Sequence, residues 1–147
     1  MESLAGLEPG ERLISRAPAS FRGAAAASIR STFALASARA RRQAHDAWCM
    51  HAESVGFPVA GPEMWLGLTD SRLIVWNTTF VLSRPGAVKG VVPLADVAEV
   101  ATTRHGLVTG LAVALSTGHF IEVEAMRGRR LRRFAAALRE ALDTGRR

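Results

Sequence analysis

The chain has 147 residues, of which 48% are hydrophobic and 22% are charged, and its formal net charge is +6. This length suits one domain with a buried core, and the composition excludes wholesale disorder. Cys49 is the only cysteine, which excludes a secreted fold stapled by intrachain disulfides. The N-terminus lacks a basic, apolar leader, and no window offers the roughly 18 apolar residues of a membrane span. We therefore expect a cytoplasmic protein, at most peripheral at the membrane.

The N-terminal part predicts one strand followed by a long helix. Residues 1–17 contain a Pro-Gly turn and then ERLISRA, a plausible first strand. Residues 18–53 are alanine-rich and predict a helix, with Pro18 in its first turn and Ser20 as a cap. Its apolar stripe begins at Phe21, Ala25, Ile29 and Phe33 and continues more loosely to Trp48. Glycine and proline between residues 56 and 62 then end the helix.

From Met64 the residue composition becomes typical of β strands. The segments MWLGLT and RLIVWNTTFVL are rich in β-branched and aromatic residues, and Asp70-Ser71 between them predicts a hairpin over Met64–Leu82. SRPGAVKG, at 83–90, predicts a turn-rich connection, and Pro93 marks a strand end, a bulge or an edge. The later strands alternate apolar and polar residues, with Glu122 and Glu124 on the predicted solvent side.

The last segment, residues 127–143, predicts an amphipathic helix. Leu131, Phe134, Leu138 and Leu142 recur at three- and four-residue steps and predict one face buried against the strands. The elements together predict a single domain over residues 1–147. Its fold class is α+β and mainly β, with about seven antiparallel strands, the main sheet over 64–124 and a terminal helix.

Three short segments carry a resemblance to a known family. GLTDSRLIVW resembles the strand–turn–strand consensus of bacterial pleckstrin-homology-like (PH-like) and GRAM-like domains, and VVPLADVAEV resembles their following segment. GERLISRA is similar to their first strand, so the resemblance covers 8–17 and 64–143. It implies a bent antiparallel barrel plugged by the C-terminal helix. The helix at 18–53, inserted after the first strand, departs from the family, and no basic hairpin matches the one that grips phosphoinositides in lipid-binding members.

One cluster of residues has the chemistry of a metal or catalytic site. His45 and Cys49 stand four apart on the predicted helix and share a face, whereas His51 points roughly away. A structural zinc site wants four ligands, and a nucleophilic cysteine needs an oriented base. Neither requirement is met by the sequence. We predict no catalytic residues, no bound metal and no cofactor, and we keep a metal-dependent protein or enzyme centred on these residues as the alternative.

The other candidate site is a run of arginines at the start of the last helix, namely Arg127, Arg129, Arg130, Arg132 and Arg133. Positive charge opposes the helix dipole at this end, so an anion docked there would relieve an electrostatic cost. The competing interpretation is a solvated arginine face, paired with Glu122 and Glu124, in a chain where Lys89 is the only lysine.

The sequence therefore predicts a non-catalytic interaction module. Its partner is a protein or an acidic surface, either phosphate-bearing or membrane, contacted through the arginines. Nucleic-acid binding through the same cluster is a third hypothesis, disfavoured because Trp48, Trp65 and Trp76 lie in apolar runs and predict core rather than stacking surfaces. The N-terminal helix has three interpretations: packing on the sheet, on a second copy of the chain, or on a membrane.

Overall fold

The computed structural model describes residues 4–24, 34–79 and 83–145. Seven strands and two helices account for most of these residues. The strands are β1 (Leu13–Phe21), β2 (Glu63–Thr69), β3 (Arg72–Thr78), β4 (Pro85–Pro93), β5 (Val97–His105), β6 (Val108–Leu115) and β7 (Phe120–Met126); the helices are α1 (Ala34–Val55) and α2 (Arg129–Gly145). A short 3-10 turn, Leu94–Asp96, connects β4 to β5. The predicted α+β class, dominated by strands, is confirmed.

All seven strands form one antiparallel sheet in the order β4-β3-β2-β1-β7-β6-β5. Strand β1 pairs with β2 from Leu13 to Ser20 but meets β7 only at Ser20 and Phe21. The sheet therefore has a four-strand part, β4-β3-β2-β1, and a three-strand part, β7-β6-β5, which are joined only by the pairing of the end of β1 with β7. Within the described part of the chain, β4 and β5 are the two edges.

The predicted hairpin is confirmed, and its turn falls between Thr69 and Arg72. Residues 80–82, at the end of the predicted second strand, lie outside the described residues. Pro93 is confirmed as a strand end, because β4 stops there at the edge of the sheet. A proline is tolerated at such a position because no ladder hydrogen bond is required of its nitrogen.

Two predictions about connections were wrong. Pro18 and Ser20, placed in the first turn of a helix, lie in β1, where Pro18 pairs with Trp65. Pro18 precedes the point at which β7 joins, so one side of β1 is unpaired there and tolerates a residue without an N–H. Residues 85–90, predicted as a connection, form most of β4, whose register shifts against β3 accommodate its proline and glycines.

The main core lies between the sheet and both helices. Helix α2 packs on β1, β5 and β6. Its buried side chains, at 131, 134, 135, 138 and 142, include all four residues of the predicted stripe. Helix α1 contributes buried Trp48 and Ala52 to the same core, so packing on the sheet is the arrangement observed within the chain. Phe21 is fully buried, as the last residue of β1 rather than in a helix, whereas 25–33 lie outside the described residues.

A second apolar cluster covers another part of the β2–β3 hairpin. Trp65, Ile74 and Trp76 are buried there, and side chains from the N-terminal segment pack against them. The indole N–H of Trp76 donates to the carbonyl of Ala5 at 2.8 Å. All three tryptophans are thus buried, as predicted, and this second cluster depends on the segment before β1.

Candidate functional site

The five predicted arginines lie on one end of the molecule, around the start of α2. We call Arg127, Arg129, Arg130, Arg132 and Arg133 the arginine surface; all five side chains are exposed. Residues at 131, 134 and 135 are buried against the sheet and fix the rotation of α2. The arginines consequently occupy its remaining faces and reach into solvent.

Backbone contacts hold this end of α2 against the β5–β6 turn. The N–H of Arg127 donates to the carbonyl of Leu107 at 2.7 Å, and Arg127 adopts a left-handed backbone with φ of 49°. Gly128 is buried so closely on Thr109 that a Cβ would lie 2.6 Å from a side-chain carbon of that residue. The position of the arginine surface is therefore set by the sheet as well as by the helix.

Two exposed apolar side chains border the arginine surface. Leu107, at the β5–β6 turn, is 58% exposed, and Met126, at the end of β7, is 57% exposed. Strand pairing of Val108 with Met126 brings the two segments together. The two side chains therefore place exposed apolar area next to the arginines.

No carboxylate neutralises the arginine surface within the described residues. Glu122 pairs instead with Arg22, at 2.9 Å between Nη1 and Oε2. Glu124 was predicted on the solvent side of the sheet, and this was wrong: it is buried, and its carboxylate accepts a hydrogen bond from the N–H of Gly23. The chain from 125 to 139 contains no acidic residue at all. Pairing of the arginines with these two glutamates is thus excluded in this arrangement.

The alternative site does not bring its three residues together. The Sγ of Cys49 lies 3.3 Å from Nε2 of His45, and that nitrogen lies 2.9 Å from the carbonyl oxygen of Ala60, to which it donates. His51 reaches the carbonyl oxygen of Phe120 instead, at 2.7 Å. The prediction that His51 points away from the pair is confirmed. Among the described residues there is no group of three or more His, Cys, Asp or Glu side chains that suits a metal ion.

The environment of Cys49 favours its protonated form. Burial raises the pKa of the thiol, and the charge of Asp46 raises it further. Because the thiolate is the nucleophile and the metal ligand, both effects act against reactivity. The arrangement suits a partly buried apolar side chain better than a catalytic cysteine.

Two of the three segments that carry the family resemblance, GERLISRA and GLTDSRLIVW, meet in one largely buried ion pair. Arg72 donates through Nε to Oε2 of Glu11 at 2.8 Å and through Nη2 to Oε1 at 2.6 Å. The hydroxyl of Thr69 donates to the same carboxylate at 2.9 Å. These hydrogen bonds hold the pKa of Glu11 down, from 4.5 to about 2. The Gly-Glu and Thr-Asp-Ser-Arg segments thus clamp the hairpin turn to the segment before β1, which is a structural role.

A further cleft, which the sequence did not predict, lies between α1 and the described ends of the β3–β4 connection. Its volume is about 690 Å³, and Arg41, Arg42 and His45 line it from the helix. Thr78, Thr79 and Ser83 line the opposite wall. The spacing of Ala38, Arg41, Arg42 and His45 is the available sequence signal, since residues three, four and seven apart share a helix face. The opposite wall is distant from α1 in the sequence, so no local spacing predicts that the two lie together.

Comparison with known proteins does not place the chain in a family. It matches no family model, and no curated protein is significantly similar to it in sequence. Within the described residues, neither helix combines the length and apolar character needed to cross a membrane.

Proposed function

We propose that this chain is a non-catalytic, PH-like interaction module that binds an anionic membrane surface through the arginine surface. The observation that carries the proposal is the exposed, unneutralised cluster of five arginines flanked by Leu107 and Met126. Anionic lipid attracts such a cluster at about 1 kcal/mol for each basic residue. The two apolar side chains are positioned to enter the headgroup region beside it.

The topology supports the PH-like part of the proposal. Seven antiparallel strands are followed by one terminal helix, and the two parts of the sheet are joined only where the end of β1 pairs with β7. The PH-like fold has a bent sheet with an apolar opening covered by its terminal helix, and the packing of the buried stripe of α2 on β1, β5 and β6 is consistent with that arrangement. Residues 34–55, which form α1 between β1 and β2, are the departure from that family pattern.

A membrane fits this surface better than the competing partners do. Nucleic acid is bound through basic residues combined with a reading helix or exposed stacking aromatics, and Trp48, Trp65 and Trp76 are all buried. A protein partner would be recognised through a patch with buried aromatic anchors or shape complementarity. A cluster of exposed arginines beside a leucine and a methionine matches a fluid, negatively charged surface more closely.

Vesicle co-sedimentation tests the proposal. The chain should sediment with vesicles of phosphatidylcholine mixed with phosphatidylglycerol and stay in solution with phosphatidylcholine alone, and binding should weaken as salt rises. Combining Arg129→Gln, Arg130→Gln and Arg133→Gln removes about 3 kcal/mol of attraction and should lower the partition coefficient roughly a hundredfold.

The matched control has the same change of net charge elsewhere on the molecule. Arg12, Arg39 and Arg139 are exposed and lie outside the arginine surface, so replacing these three by Gln should weaken binding far less. Equal loss in the two triple variants would mean that net charge alone drives binding, and the proposed surface would then be wrong. Absence of binding to the anionic vesicles would overturn membrane binding altogether and favour a protein partner.

A further inference from the structure

The cleft between α1 and the β3–β4 connection has the charge of an anion site. Two guanidinium groups, from Arg41 and Arg42, face one carboxylate, Glu63. The closest approach of that carboxylate to Arg41 is 3.6 Å, which is too long for a good hydrogen bond, and 62% of the Glu63 side chain is exposed. The cleft therefore keeps a positive charge that its own residues leave largely uncompensated.

Arg41 also has an unsatisfied donor inside the protein. Its Nε is buried and has no hydrogen-bond partner among the described residues. A group without solvent access is out of reach of a molecule in the cleft, so an anion bound there would pair with the terminal nitrogens of Arg41.

The opposite wall supplies neutral donors. The hydroxyl oxygen of Thr79 accepts a hydrogen bond from the N–H of Arg84 at 3.2 Å, which leaves its own proton to donate elsewhere. Ser83 follows with a left-handed backbone, φ of 45°, and its carbonyl accepts from the indole of Trp65 at 3.1 Å. In the described part of this wall, Thr79 and Arg84 thus bond to each other, and Ser83 bonds to Trp65 of β2.

We propose that this cleft binds the phosphate group of a small phosphomonoester. Arginine pairs with phosphate through two parallel hydrogen bonds, and the three terminal oxygens of a phosphomonoester suit two guanidinium groups and the hydroxyls opposite them. A volume of about 690 Å³ is within the usual range of small-molecule sites and leaves room for an organic group beyond the phosphate.

The same phosphomonoester chemistry occurs free in solution and on a lipid headgroup. Thr78, Ser83 and Glu63 also line a neighbouring hollow that includes Met126 and Arg130, so the cleft adjoins the arginine surface. A phosphomonoester lipid could thus be held here while the arginines contact the bilayer. Binding of the free compound is independent of the proposed membrane function.

The test compares a soluble phosphomonoester with a lipid that carries the same group. Glycerol 3-phosphate is titrated calorimetrically, and sedimentation with phosphatidic acid vesicles is compared with phosphatidylserine vesicles. Arg41→Gln and Arg42→Gln should each weaken binding about tenfold or more. Arg39→Gln, on the same helix but outside the cleft, should leave it unchanged. Melting curves of the ligand-free variants establish that all three fold.

Each outcome decides the matter. Tight binding of glycerol 3-phosphate that is lost in the two cleft variants supports a free phosphomonoester as the ligand. Preference for phosphatidic acid alone, with the same pattern among variants, supports the lipid headgroup. Failure of both probes, or equal weakening by Arg39→Gln, overturns the proposal. Replacing Arg129 and Arg133 by Gln should leave glycerol 3-phosphate binding intact, which separates this site from the proposed membrane function.

Discussion

Replacing Glu11 by Gln should destabilise the fold by removing one half of its most buried ion pair. Glu11 exposes only 6% of its side chain and accepts from both Nε and Nη2 of Arg72. Arg72 also donates to the carbonyl of Gly6, so the pair fastens the segment before β1 to the hairpin turn. The substitution keeps the size of the side chain and removes its charge, leaving the guanidinium without a counter-ion.

The magnitude follows from the pKa of Glu11. Its fall from 4.5 to about 2 corresponds to at most about 3–4 kcal/mol of stabilisation by the charged form. Arg72 keeps 16% of its side chain exposed, so solvent screens part of the interaction. We expect Glu11→Gln to lower the free energy of unfolding by about 2 kcal/mol at neutral pH.

The stability difference between the parent and Glu11→Gln should shrink as the pH falls. A carboxylate with a lowered pKa in the folded state stabilises the fold above its unfolded value of 4.5, and this contribution is lost as pH falls toward about 2. The stability difference between the parent and Glu11→Gln should therefore be full at neutral pH and less than half as large at about pH 3.

Urea denaturation followed by tryptophan fluorescence measures this difference. Glu8→Gln is the matched control, because Glu8 is an exposed carboxylate in the same segment and its replacement should cost no more than about 0.5 kcal/mol. The reasoning is refuted if Glu11→Gln is as stable as the parent at neutral pH. It is equally refuted if the difference between the two proteins is unchanged at about pH 3.

Two further predictions concern packing, and chemical denaturation measures both. Phe134→Ala should lower the free energy of unfolding by about 3–5 kcal/mol, since the Phe134 side chain of α2 is fully buried. Arg132→Ala, on the exposed side of the same helix, should change the free energy of unfolding by less than about 0.5 kcal/mol. Gly67→Ala should cost about 1–3 kcal/mol because a Cβ there would overlap the ring of Trp76, and Gly145→Ala, with open space around it, should be neutral by the same measurement.

Local pattern predicted the elements whose burial repeats regularly. The hairpin around Asp70-Ser71 and the stripe Leu131, Phe134, Leu138 and Leu142 were both confirmed, because alternation and three- or four-residue spacing report directly which side faces the core. The same logic failed for Glu124, since a local pattern assigns a charged side chain to solvent and contains no information about the Gly23 N–H that donates to its carboxylate.

The candidate sites likewise divide into features that neighbouring residues predict and features that contacts between distant segments create. The arginine surface was evident from sequence because its five members are neighbours on one short segment. Its apolar border was not, because Leu107 approaches Arg127 only through pairing between strands. The phosphate cleft was missed for the same reason, since its two walls come from α1 and from the β3–β4 connection.

The sequence by itself determined the class of the fold, the hairpin, the terminal helix and the exposure of the arginines. These depend on the order of polar and apolar residues within single elements, because burying one face of a helix or strand requires apolar residues at regular spacing. Only the tertiary structure decided that Glu11 pairs with Arg72, that Pro18 lies in a strand and that Arg41 faces a cleft. Those outcomes depend on which distant segments become neighbours in the sheet. Strand register and the entropy of loop closure decide this, and both are properties of the whole chain.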